Sequence, residues 1–142
     1  MVALGGFAVS VYLAAFQLGA LSAVWDPFFG SGSERVLTSA VSRVLPVPDA
    51  TLGALAYALD ALLAAALLVR PDGPVWLAAA LAVVATLGAM TGLVLVLLQP
   101  LVARALCSLC LASAGLSVAL AVGAASELRG RIDPRSTRLH AD

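Results

Sequence analysis

The chain has 142 residues, of which 62% are apolar, 11% charged and 6% aromatic, and its formal net charge is zero. A water-soluble domain carries about 25% charged and 45–50% apolar residues, so polar groups are too few here to cover a soluble globule. The neutral charge and the lack of a basic cluster before the tail argue against nucleic acid as a partner. Two cysteines are too few for a disulfide scaffold. A membrane protein remains, with lipid as its solvent.

A spanning helix needs roughly 20 mostly apolar residues, and four stretches meet that length. The first, Val2 to Val24, is uncharged. No basic residue precedes it, and it exceeds the 7–15 apolar residues of a secretory signal, so it is read as a retained helix. Next comes a loop over 25–51. Its start, Trp25-Asp26-Pro27-Phe28-Phe29-Gly30, is aromatic and turn-rich and suits the membrane–water interface. Gly30-Ser31-Gly32 breaks the chain, and Ser33 is placed as an N-cap. From Glu34 to Leu45, the residues Val36, Leu37, Val41, Val44 and Leu45 share one helical face, with Glu34 and Arg43 matching the helix dipole. Pro46 and Pro48 end it. The expectation is a short amphipathic helix lying over the mouth of a bundle.

The second span runs over about 52–69, interrupted only by Asp60, and the third over about 74–98. On the third, Gly88 and Gly92 form a small-xxx-small pair, read as close helix packing. The fourth covers about 103–126, with the stretch from Ala105 to Ser126 uncharged. Period-two alternation is absent, which argues against a β-barrel. The predicted class is therefore an all-α integral membrane fold: one domain over 1–126, with an Arg-rich tail over 127–142 expected to be disordered. Four crossings place both termini on one side. Arg70, Arg129, Arg131, Arg135 and Arg138 on that side outnumber Arg35, Arg43 and Arg104 on the other. The positive-inside rule then makes the termini cytoplasmic and the loop external.

Chemistry is concentrated in few residues. Cys107-Ser108-Leu109-Cys110 sets two thiols three residues apart at a helix start, where one face and the positive dipole end favour a reversible disulfide. The competing reading is two small buried apolar side chains. A zinc site lacks ligands, because His140 lies in the tail at the other end, so no metal is expected. Asp60 falls mid-helix, where a charge is costly. Either a proton carrier or a carboxyl bonded to a neighbouring helix fits. It lies eleven residues beyond Asp49, about 16 Å deeper, too far in to touch the cysteine sulfurs. Tyr57, one turn outward, is either a donor into the bundle or a packing aromatic.

Taken in order, these pieces resemble the vitamin K epoxide reductase family. Ser33-Glu34-Arg35-Val36-Leu37-Thr38-Ser39, Ser42-Arg43 and Pro46-Val47-Pro48 look like its outer loop. Leu52-Gly53 with Tyr57 looks like its second helix, and Cys107-Ser108-Leu109-Cys110 matches its CxxC. The resemblance implies four membrane helices around a quinone of the menaquinone or ubiquinone type. Cys110 would face the quinone, and Cys107 would exchange with a thiol partner. Asp49, Tyr57 and Asp60 are candidate quinone or proton-relay contacts. Family members usually carry a second cysteine pair in the outer loop, whereas Trp25 and Ser33 stand at those positions here. Asp49 replaces a quinone-binding asparagine, and Ala114 a tyrosine of animal members. With no room in the tail for a fused thioredoxin-like domain, the thiol partner would be a separate thioredoxin-like protein. The expected activity is thiol–quinone oxidoreduction in a bacterial inner membrane. The rival is a non-catalytic bundle that serves as an assembly partner or quinone-binding module.

Overall fold

In the computed structural model, which describes residues 1–40, 42 and 47–133, the described chain is helical. Its elements are α1 (Val2–Gln17), α2 (Gly32–Leu37), α3 (Asp49–Val69), α4 (Val75–Leu98), a π-helical turn (Gln99–Ala103) and α5 (Ser108–Ile132). Among the described residues, three helices are long and apolar enough to cross a membrane: Asp49–Val69, Val75–Ala103 and Ser108–Ile132. α1 is a shorter apolar helix of 16 residues, about 24 Å long, against a hydrocarbon core of roughly 30 Å.

α1 therefore stops well before Val24, where the uninterrupted apolar run had placed its end. Gly19 takes φ 79°, a left-handed conformation that costs glycine nothing. Its N–H donates to the Phe16 carbonyl, and the Ala20 N–H donates to Ala15. This Schellman closure satisfies the last carbonyls and turns the chain outward.

α2 begins with Ser31 as its N-cap. Ser33, predicted as the cap, lies one residue inside the helix, and its side chain is fully buried. The helix ends at Leu37, short of the predicted Leu45. The Thr38 and Ser39 hydroxyls fold back onto the Glu34 and Val36 carbonyls, offering the backbone an alternative to another helical turn. Val41, Val44 and Leu45, three of the five residues of the predicted stripe, lie outside the described residues together with Arg43 and Pro46.

α1 packs against α3 and α5, and α4 packs against the same two, so the four long elements form a ring. α2 lies across one end of it, against α5 and the π-helical turn. At the opposite end, Leu67 of α3, Ala78, Leu81, Ala82 and Ala85 of α4 and Ala124 of α5 make a tight apolar cluster. Small residues let these backbones approach closely. A Cβ on Gly6 would collide with the Tyr57 ring, so the α1–α3 seam depends on that missing side chain.

α5 starts at Ser108 rather than near 103, because the turn after α4 and a left-handed Arg104 (φ 48°) intervene. It then runs to Ile132, so residues 127–132, assigned to the tail, are helical. Arg131 bonds Glu127 one turn back (2.8 Å) and the Gly73 carbonyl in the α3–α4 turn (3.0 Å), which ties this last turn down. The rest of the predicted tail, 134–142, with Arg135, Arg138 and His140, lies outside the described residues.

Candidate active site

The end of the ring covered by α2 holds the two cysteines. Cys107 is the N-cap of α5 and Cys110 lies in its first turn; the two are joined as a disulfide with Cα atoms 5.2 Å apart. The Cys110 N–H donates to Cys107 Sγ at 3.0 Å, and the Cys107 N–H donates to Gln99 Oε1 at 3.1 Å. Gln99 follows the end of the uncharged α4 as the first residue of the π-helical turn that contains Pro100, and it is buried. Cys107 is completely buried, whereas Cys110 is half-buried and lines a cavity.

That cavity measures about 710 Å³, with walls from α1, α2, α3, α4 and α5. Its lining is mostly apolar, including Leu13, Leu37, Leu87 and Leu95, with a few polar groups. A volume between about 300 and 1,000 Å³, apolar walls and sparse polar groups describe a small-molecule site. Gly88 faces this space, and a Cβ there would meet nothing within 4 Å. Only Gly92 of the predicted glycine packing pair abuts α5, with its added Cβ 3.5 Å from Ala114.

The three polar candidates on α3 all line the cavity, but in different states. Asp49 accepts from Gln17 Nε2 at 2.6 Å and from Ser42 Oγ at 3.2 Å, so both its oxygens are engaged. Its role in this arrangement is to join α1, the loop and α3. Tyr57 is 4% exposed, bonds the Ser113 carbonyl at 2.6 Å and lies 2.6 Å from Ser117 Oγ. It fastens α3 to α5. Asp60 is 3% exposed, and its Oδ1 has no hydrogen-bond partner among the described residues.

Against the other side of Cys107 sits a polar cluster that the sequence reading did not pick out. Asp26 Oδ1 accepts from the Phe28 and Phe29 N–H groups (3.0 and 2.9 Å), an Asx-turn that shapes the aromatic loop. The same oxygen accepts from Ser108 Oγ, and Oδ2 accepts from the Ser108 N–H at 3.3 Å and from Ser33 Oγ at 2.6 Å. Ser33 Oγ in turn lies 3.1 Å from Cys107 Sγ. Burial pushes the Asp26 carboxyl upward, but the bonds from Ser108, Ser33, Phe29 and Phe28 outweigh it and hold the group well below the usual carboxylate range. Gly32 allows the close fit, since a Cβ there would collide with the Leu106 carbonyl. The one sequence signal for Asp26 was its place ahead of Pro27 in an aromatic turn.

A model of the vitamin K epoxide reductase family matches residues 1–125. The chain belongs to that family. Searches of curated proteins and of solved structures returned no significant match. The vitamin K epoxide reductases are membrane oxidoreductases that generally work with a quinone and with thiol-redox partners. The matched span holds both cysteines, all of the cavity and the Asp26–Ser33 cluster. This member carries its cysteine pair without cysteine at 25 or 33: the Trp25 side chain is 73% exposed at the surface, and Ser33 touches Cys107.

Proposed function

We propose that this protein is a membrane thiol–quinone oxidoreductase with four membrane helices, α1 being the short one. A bonded Cys107–Cys110 pair whose Cys110 forms part of a wall of the 710 Å³ apolar cavity carries the reading. A quinone ring suits that volume and lining, and a bound quinone would accept two electrons and two protons to become a quinol. The chain's own part is the sulfur chemistry. Cys107 and Cys110 as thiols lose two protons and two electrons and close the disulfide; exchange with a partner's thiols reopens it while the partner becomes a disulfide. Leu13, Leu37 and Leu95 would exclude water beside Cys110, and Gln99 would orient the cysteine backbone.

Cys107 is the sulfur proposed for exchange with a separate thioredoxin-like protein, and α2 with its preceding loop must lift to expose it. The Arg distribution supports cytoplasmic termini, with the CxxC near the outer face of a bacterial inner membrane. Purified protein, reduced and then mixed with menaquinone or ubiquinone analogues, is expected to convert both thiols to the disulfide, read by maleimide trapping, while quinol accumulates. Thiols that stay reduced under excess quinone would overturn the reading. That result would favour the non-catalytic bundle, which the complete covering of Cys107 also supports.

A further inference from the structure

The Ser33 hydroxyl has one proton and two neighbours, Asp26 Oδ2 at 2.6 Å and Cys107 Sγ at 3.1 Å. The shorter bond, to a carboxylate, is the stronger one and takes that proton. Ser33 then turns oxygen lone pairs toward the sulfur. A reduced Cys107 can donate its S–H to that oxygen, giving a continuous chain S–H···O–H···O⁻. A Cys107 thiolate would instead face those lone pairs, with the Asp26 charge directly behind them. The Cys110 N–H on Cys107 Sγ favours the thiolate, but at this range a full buried charge outweighs one backbone donor.

The remaining charged groups around Cys107 do not cancel Asp26. On α2, Glu34 accepts from the Val24 N–H and Arg35 is exposed. In the linker, Arg104 is exposed. α4 and the π-helical turn carry no charged residue, and α5 has none before Glu127. Cys107 as the N-cap and Cys110 in the first turn of α5 both lie at the positive end of the helix dipole, so the dipole does not separate them; the Asp26 cluster does, because Cys110 faces the cavity instead.

We propose that Asp26, acting through Ser33, is a positioning residue that holds Cys107 as the protonated thiol and leaves Cys110 as the sulfur that ionises. The proposal rests on the thiol-redox reading above and assigns the order in which its two sulfurs act. What the cluster adds is control of the covered sulfur, which keeps its proton until the disulfide closes.

The test needs no quinone, so its failure is separate from failure of the function. The Cys110→Ser protein keeps Cys107 alone, and its thiolate is followed by ultraviolet absorbance as pH is raised. Adding Asp26→Asn removes the charge and frees the Ser33 hydroxyl to donate to sulfur, and both effects favour the thiolate. The expected result is an increase of about tenfold in the Cys107 ionisation constant, whereas Ser33→Ala produces no such increase. An unchanged or weaker ionisation in Asp26→Asn would overturn the proposal. If that variant does not fold, the native loop decides. Cys107 in Cys110→Ser must titrate at higher pH than Cys110 in Cys107→Ser, and the reverse order overturns it.

Discussion

Asp26 spends its carboxylate on five hydrogen bonds that tie the aromatic loop, α2 and the start of α5 to one point. Because these bonds favour the charged form, its pKa is lowered on folding. The stability it adds is fully present above the ordinary carboxylate value, about 3.9, and is lost as pH falls below it. The gap in thermal midpoint between the native protein and Asp26→Asn should therefore be constant from neutral pH to about 4 and narrow in stronger acid. A gap that widens in acid would contradict the bonding described. Single residues were unevenly legible in the sequence. Cys107 and Cys110 stand out because a spacing of three at a helix start has a local meaning. Asp26, Ser33 and Gln99 do not, because their roles come from contacts across the fold. Ser33 is 74 positions from Cys107 in sequence, and its local setting pointed to a helix cap.

At the scale of elements, hydropathy located the helices and backbone chemistry decided their ends. α4, predicted over about 74–98, runs from Val75 to Leu98, since Pro74 and Gln99 mark both boundaries locally. α1 was read seven residues too long, because apolarity continues past Gly19 while the helix does not. α5 outlasts its apolar run because Glu127 and Arg131 form a pair one turn apart and Arg131 reaches Gly73. The end of α1 makes its own prediction. Gly19→Ala places a Cβ at positive φ in open space, so the strain is purely backbone. A loss of about 1 kcal/mol is expected, seen as a lower midpoint in detergent unfolding. No change would mean that the Schellman turn does not hold α1 at its length.

Across the whole molecule, α3 and α5 touch through Tyr57, Ser113 and Ser117, while the ring encloses open space beside Cys110. Gly88 is a point from which that space can be filled without disturbing a packed seam, because nothing stands within 4 Å of its added Cβ. Gly88→Leu is expected to raise the quinone KM by about fivefold or more, in line with about 1–3 kcal/mol for groups forced into a fitted pocket. Reduction of the Cys107–Cys110 disulfide by a small dithiol should be unaffected. Equal loss of both activities would place the acceptor elsewhere. The ring of helices was legible as a class from four apolar stretches. The cavity was not, because it depends on which side chains are missing from facing helices.

Ser33 differs from a cysteine by a single atom, oxygen in place of sulfur, yet it sits within bonding range of Cys107. Oxygen there can pass hydrogen bonds but cannot store electrons. With only two cysteines in the chain, the protein has storage for one electron pair and no waiting room for a second. In the proposed thiol–quinone cycle, loading from the thiol donor and unloading to the acceptor must therefore take turns. Neither substrate can hurry the other's half of the cycle, and the steady-state pattern should be ping-pong, with parallel double-reciprocal lines.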